Sequence, residues 1–427
     1  MNRLVNIIIL SICALRGYGQ LTLEQCQTLA RENYPAIRQF GLIEESTDYS
    51  IANASKSYLP QFSLLAQATY QNDVASFPEQ MTTMYELIGI QMKGLNKDQY
   101  RLALEVNQTI WDGGASKAQK DIAKADGDFS KQSLEVELYT LRERINNLYF
   151  GILTLSEQLI QNALFQELLE SNLKTATAHI NNGTAMQSDV NAIKVELLSA
   201  GQQHIQIESA RDAYCNMLSV MIGKPVGSSE KFAKPLLQSI TEGINNRPEL
   251  QLLAMQSAQF EAQKRSINSS VMPRIGLFAQ GFYGNPGLNL FKDMTENKWT
   301  WNYIAGIQFR WNFGNYYTRK GNLQKLTIAQ QKIDSQRETF IFNTNLATIQ
   351  QQNAIEKMNK IMADDSEIIK LRTSIRETSE AKYANGTITV SELLRDIIAE
   401  SQSMQFKAQH EIEWLKNIYD LTNNLNN

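Results

Sequence analysis

Three histidines, His179, His204 and His410, are the chain's natural candidates for acid–base or metal chemistry. None has the spacing of a metal-ligand set or of a nucleophilic triad. Gly113-Gly114, after Trp111, is a glycine pair of the kind that cradles phosphate. It lacks the lysine such a loop needs, so it reads as a joint between a strand and a helix. Asp364-Asp365 is an acidic pair on a helix, and it reads as a solvated face rather than a carboxylate dyad. No metal, cofactor or catalytic role is expected, and the chain does not read as an enzyme.

The patterned polar groups lie at two turns. Asn182-Gly183-Thr184 is followed by Ser188-Asp189, and Asn385-Gly386-Thr387 by Ser391-Glu392. Asn-Gly stops a helix with a left-handed residue. The serines then fall near the start of the next helix, and the acids in its first turn, where the helix dipole favours anions. Helix capping and a functional charge at a helix end would use the same residues.

These turns belong to a duplication. Asn33-Tyr34-Pro35 corresponds to Asn246-Arg247-Pro248, Pro60 to Pro273, Trp111 to Trp311 and Gly183 to Gly386. The offset runs 213, then 200, then 203 residues. Such a period is too long for a solenoid. Two repeats are expected, 20–223 and 247–427, with a linker at 224–246.

Proline placement sets the elements. The eight prolines leave 79–224 and 287–427 free of them. Proline is costly inside a helix, and 115–181 and 315–384 are rich in good helix formers. Each predicts a helix of roughly 65 residues, about 100 Å long at 1.5 Å per residue. Ile145, Leu148, Ile152, Leu155, Leu159, Leu169 and Leu173 form a coiled-coil-like seam, broken by Asn162 and Gln166. A plain amphipathic bundle helix would use the same residues.

From Trp301 to Phe313, odd positions are apolar and mostly aromatic, and even ones polar or small except Ile304. That period of two is long for a soluble strand and fits a tilted membrane strand. Trp111, Trp299, Trp301 and Trp311 are candidate membrane-interface aromatics. Leu64, Ala66, Ala68 and Tyr70 alternate more weakly, and Leu102, Leu104 and Val106 give the second strand its apolar face. In the 200-residue offset these even positions meet the polar face of the later strand, a change that a one-residue bulge would produce. Hairpin tips are expected as loops at about 78–98 and 284–299.

The N-terminus reads as a secretory signal. Arg3 precedes an apolar stretch from Leu4 to Leu15, and Gly17 and Gly19 suit cleavage before Gln20. Cys13 is a poor lipoprotein site, because bulky Ile12 precedes it. Without residues 1–19 the balance is 39 bases against 44 acids, which argues against nucleic acid as a partner. Cys26 and Cys215 are far apart, so no disulfide framework is expected. No later stretch is long and apolar enough for a transmembrane helix. An exported chain of this kind is soluble, or it crosses a membrane as a β-barrel.

Together these features resemble the outer-membrane efflux protein family, the TolC-like channels. The best motif is Tyr383-Ala384-Asn385-Gly386-Thr387 through Ser391-Glu392-Leu393-Leu394, joined by Leu21-Thr22-Leu23-Glu24-Gln25 and Asn33-Tyr34-Pro35. The resemblance implies a mainly α fold with β: a homotrimeric twelve-stranded outer-membrane barrel, four strands per chain, continued by a long periplasmic α-helical barrel. It implies outer-membrane lipid around the strands, a periplasmic adaptor and an inner-membrane pump as partners, and a passive exit duct in tripartite efflux or type I secretion. It also places Asp189, Tyr383, Thr387, Glu392 and Arg395 at a periplasmic gate, with Asn182, Gly183, Asn385 and Gly386 in the tip turns. Ile388 stands where the best-known members have an arginine, and Arg395 where they have a second pore-lining acid. The closed-state ion pair is then either absent, or rebuilt through Arg395 with Asp189 or Glu392. The rival expectation is a secreted or periplasmic coiled-coil scaffold or adaptor without a channel. The alternating aromatic hairpins discriminate, since a scaffold has no use for an apolar outward strand face.

Overall fold

The computed structural model describes residues 20–91, 93–181, 185–236 and 245–426. The expected signal, residues 1–19, and the turn residues Asn182 and Gly183 lie outside the described residues. In the first half, α1 (Leu23–Asn33) and α2 (Gln39–Lys56) lead to β1 (Gln61–Tyr70), α3 (Glu79–Leu87) and β2 (Asp98–Trp111). Then come α4 (Ala115–Asn181) and α5 (Gln187–Ile222). The second half repeats the order with α6 (Pro248–Ser270), β3 (Arg274–Asn285), α7 (Leu290–Glu296), β4 (Thr300–Arg310), α8 (Asn315–Ala384) and α9 (Val390–Leu425). The chain divides into two compact units that each draw on both halves.

One unit holds the four strands, within Gly41–Lys131 and Leu253–Ser335. They form an antiparallel meander in the order β1-β2-β3-β4. Register puts Leu64 beside Leu104, Leu104 beside Gly281 and Gly281 beside Tyr303, so the apolar positions of all four strands share one face. The parity change has its cause in a register shift between Thr109 and Trp111. This bulge takes up one residue, Ile110, and returns Trp111 to the apolar face opposite Ile275. The opposite face carries Gln67, Arg101, Glu105, Asn107, Gln280, Asn302, Gln308 and the bulkier Phe278 and Phe282. Gly306 makes room there, since a Cβ at that position would stand 3.0 Å from the Phe278 ring.

The hairpin tips are more ordered than the expected loops, for each contains a short helix, α3 or α7. The two tips pack together. Phe77 lies 6.0 Å from Phe291, and the Lys93 amide donates to the Met294 carbonyl at 3.0 Å. Buried Asp293 accepts from the Gly287 amide at 2.6 Å. At the strand–helix joint, Gly113 and Gly114 have positive φ, +70° and +89°. Asp112 organises that joint by accepting from the amides of Gly114 at 2.9 Å and Ser116 at 2.6 Å.

The other unit is helical, built from residues up to Phe40, Gln132–Leu252 and Gln336 onward. Its core includes Leu23 and Cys26 of α1, Ile145, Tyr149, Phe150 and Ile152 of α4, Leu218 of α5, and Ile412 and Tyr419 of α9, all buried. Each such side chain gains about 1.5–3 kcal/mol from leaving water. Burial pushes the Cys26 thiol up to about 12, so it stays an inert neutral group. In the α4 seam Ile145, Ile152 and Leu169 are fully buried. The polar break is satisfied: Asn162 donates to the Ala200 carbonyl of α5 at 3.1 Å and accepts from Gln166 at 2.5 Å.

The segment expected as a linker is docked over its described residues. Phe232 bridges in parallel to Leu21 and stacks edge-on against Tyr149, whose hydroxyl reaches the carbonyls of Leu21 and Ala233 at 2.7 Å. Lys234 pairs with Glu157 at 2.9 Å and Glu411 at 3.6 Å. A further expectation, the solvated face, changes at Asp364-Asp365. Only Asp364 is exposed; Asp365 is buried and meets His410 Nδ1 at 2.9 Å, because its helix face is covered by α9.

Candidate functional site: the helix turns and the apolar sheet face

The C-terminal ends of α4 and α8 and the N-terminal ends of α5 and α9 share one apolar cluster. Leu169, Ala176, Val190, Ile193, Tyr383, Val390, Leu393 and Ile397 are among its buried members, with Ile388 packed against it. Ile388 thus supplies an apolar contact, and no charge, at the second turn. Gly386 has φ +69°, and its amide and that of Thr387 return to the carbonyls of Tyr383 and Lys382 at 2.9 Å. The Thr387 hydroxyl donates to the same Lys382 carbonyl at 2.9 Å, and Asn385 donates its side chain to Ala381 at 2.8 Å. The left-handed stop expected at Asn385-Gly386 is therefore made.

The acids are capping groups in this chain. Asp189 accepts from the Met186 amide at 3.0 Å. Glu392 accepts from the Thr389 amide at 2.8 Å and hydroxyl at 3.0 Å, and its own amide donates back to Thr389 at 3.3 Å. These bonds hold the Glu392 carboxyl below the usual carboxylate range. The cap is Thr389, which sequence analysis passed over in favour of Ser391. Its signal was the Thr-x-x-Glu capping box.

Tyr383 is buried, and its hydroxyl finds no hydrogen-bond partner among the described residues. Burial first, and the nearby Asp189 charge second, raise its pKa. Its ring meets His179 edge-on at 5.7 Å. Arg395 is exposed and reaches Asp396 at 3.4 Å; neither Asp189 nor Glu392 is its hydrogen-bonded partner within the chain. Asp396 is held instead by the Ser379 hydroxyl at 2.6 Å.

A buried polar network beyond the turn was not expected. Arg376 donates to Glu400 and Glu380, both at 2.7 Å, and Asn172 reaches Glu380 at 3.2 Å. Burial works against the Arg376 charge, but the hydrogen bond to Glu400 and the charge of Glu380 outweigh it and hold its pKa up. The i,i+4 pair Arg376/Glu380 was legible as a helix-surface pair. Its burial by α4 and α9 was not. Beside the turn, a concavity of about 660 Å³ runs along α5 and α9, lined by Val195, Glu196, Leu394, Arg395 and Ile398.

The strand unit supplies the second element. Its apolar face is open: Leu64, Leu104, Trp301, Tyr303 and Ile307 are all exposed. Aromatic rings gather at its two ends. Tyr283 stands 5.3 Å from Trp299 and 5.1 Å from Trp301, while Trp311 stands 4.7 Å from Phe313 at the other end, near Phe309. Trp111 shares that second end through its pairing with Ile275, itself opposite Phe309. Ten residues of tilted strand between Trp301 and Trp311 give an apolar band about 25 Å tall. Among the described residues, no helix is long and apolar enough to cross a membrane, and no group of histidines, cysteines or carboxylates could hold a metal ion.

Residues 28–224 match the family described as outer membrane efflux protein. No curated protein matches the chain. Solved structures match nearly all of it. The outer-membrane channel OprN aligns with TM-score 0.69 at 13% identity, covering 94% of this chain and 89% of that one. The outer membrane protein VceC of Vibrio cholerae gives 0.68 at 12%, covering 94% and 95%. The open state of the MtrE channel of Neisseria gonorrhoeae gives 0.66 at 15%, covering 94% and 88%. Residues 28–224 thus carry a sequence match to the outer membrane efflux protein family, and the chain as a whole has the fold of these outer-membrane channels.

Proposed function

We propose that three copies of this chain close a twelve-stranded barrel and act as a passive exit duct in a tripartite efflux or secretion system. The observation that carries this is the single apolar face shared by all four strands, ended by two strands, β1 and β4, that each have one paired neighbour. In lipid every backbone group must be paired, so an open four-stranded sheet is not viable there. Four strands are also too few to enclose a lumen. Pairing β4 of one copy with β1 of the next removes both edges. A scaffold protein would gain nothing from this exposed face.

The duct supplies a path, and its substrates arrive by the work of an inner-membrane pump. A periplasmic adaptor docks at the helix turns, where the groove along α5 and α9 offers apolar walls with Glu196 and Arg395 on its rim. Asp189, Tyr383, Thr387, Glu392 and Arg395 set the aperture there, with Asn385 and Gly386 forming the turn. Arg395 points its charge to water and so remains available to an acid of a neighbouring copy. Trp111, Trp299, Trp301 and Trp311 mark the membrane interfaces. Planar-bilayer recording of the purified protein tests the duct. Stepwise conductance is expected, enlarged by Arg395→Glu if Arg395 closes the aperture. Protein that inserts without conducting would refute the duct.

A further inference from the structure

The polar face of the sheet carries an arrangement that costs stability unless it is used. Register sets Arg274 of β3 directly opposite Arg310 of β4. Like charges facing one another across an antiparallel pair are destabilising. Neither arginine makes an ion pair or a hydrogen bond among the described residues, and both are exposed. The same face holds Arg101, so each chain presents three arginines there. Glu105 is the one strand carboxylate on that face, and it is already engaged, for Gln280 donates to it while Arg101 donates to Gln280. Arg101 also lies 3.9 Å over the Phe282 ring.

Around the facing arginines the wall supplies neutral polar groups. A concavity of about 440 Å³ is lined by Arg274 and Arg310 together with Gln61, Asn107, Gln308 and Ser57. Asp112 is the one acid in that wall. Its carboxylate is taken up by the amides of Gly114 and Ser116 and by the Tyr58 hydroxyl at 2.8 Å. The hydrogen-bonding capacity left over is therefore guanidinium, which matches carboxylate and phosphate oxygens in a planar fork.

We propose that Arg274 and Arg310 of each copy form an oxyanion-binding ring inside the barrel, and that the duct passes small solutes bearing carboxylate or phosphate groups. This rests on the proposed trimeric duct, because the polar face is then the lumen wall and the ring holds six arginines. Lipid headgroups are not the ligand, since the apolar face is the one turned to lipid.

The test is block of single-channel current by inorganic pyrophosphate in bilayers of neutral phosphatidylcholine. The salt is about 0.1 M KCl, where charges are screened over about 10 Å. Pyrophosphate should block wild type, and Arg274→Gln/Arg310→Gln should need about tenfold more of it, on the usual strength of hydrogen bonds to charged groups. Arg274→Lys/Arg310→Lys keeps the charge and should keep the block. Arg310→Glu alone sets opposite charges across the pair and should abolish the block, which carries the test if the glutamine variant does not assemble. Equal block of wild type and of the glutamine or glutamate variant overturns the ring while leaving the duct intact. Block that depends on adding anionic lipid assigns the arginines to headgroups and overturns it too. Absence of any conductance in wild type overturns the duct itself, and the ring with it.

Discussion

Replacing Arg376 by methionine should loosen the helix ends that carry the turn, and the amount follows from burial. Its guanidinium holds Glu400 and Glu380, both at 2.7 Å. The Glu400 side chain is only 3% exposed, and its second oxygen has no partner among the described residues. Removing one member of a buried pair costs about 3–5 kcal/mol, because a charge is left without its partner. Arg376 and Glu380 retain some contact with water, at 16% and 30% exposure, so the low end applies. About 3 kcal/mol corresponds to roughly a hundredfold rise in local opening. Hydrogen exchange of the amides between 376 and 400, in the detergent-solubilised protein, reads that opening. The double variant Arg376→Met/Glu400→Gln leaves no charge orphaned at buried position 400, while Glu380 keeps Asn172 and some contact with water, so it should recover at least about half of the loss. Exchange in the single variant within about threefold of wild type would refute the reasoning, as that is all a surface pair supplies.

At the strand–helix joint, Gly113→Ala should lower folding yield sharply. The residue has φ +70°, and a Cβ would run into Met272 and stand 3.0 Å from the Pro273 carbonyl oxygen; a normal yield in a membrane fraction would contradict this. The depressed Glu392 carboxyl makes the first turn of α9 pH-sensitive. A carboxylate with a lowered folded pKa adds stability that is whole above the unfolded value of about 4.3 and is lost as pH falls through the folded value. Carboxyl NMR titration of Glu392 should therefore give a value below that of Thr389→Ala, and identical titrations would count against the cap. Cysteines at Glu79 and Asn289, in the hairpin tips, should react with an impermeant thiol reagent on intact cells; labelling only after the outer membrane is broken would reverse the proposed orientation.

Much of this was written in residue order. The period of two from Trp301 to Phe313 is the apolar face of β4, and the proline-free stretches are α4 and α8. Short-range patterns failed where tertiary contacts decide. Helices α3 and α7 are too short to show a period, so the tips read as loops. Asp365 reads as surface because the face covering it comes from α9, 45 residues away, where His410 waits. The buried Arg376–Glu400 pair joins residues 24 apart across the turn, which no local spacing reveals. The pairing of β2 with β3, which fuses the two hairpins into one sheet, is likewise a long-range outcome. The bulge at Ile110 was legible only as a parity conflict between the repeats. The turns were located by their Asn-Gly and capping chemistry, and a gate there is implied by the resemblance alone; the hydrogen-bond partners of Asp189, Glu392 and Arg395 were not legible.

The central claim is that one chain is a third of a closed barrel. Its most direct test is the mass of the protein extracted from outer membranes in mild detergent, measured with the detergent contribution removed. The account predicts a single species of three chains. A stable species of one chain, equally at home in detergent and in buffer, would contradict it.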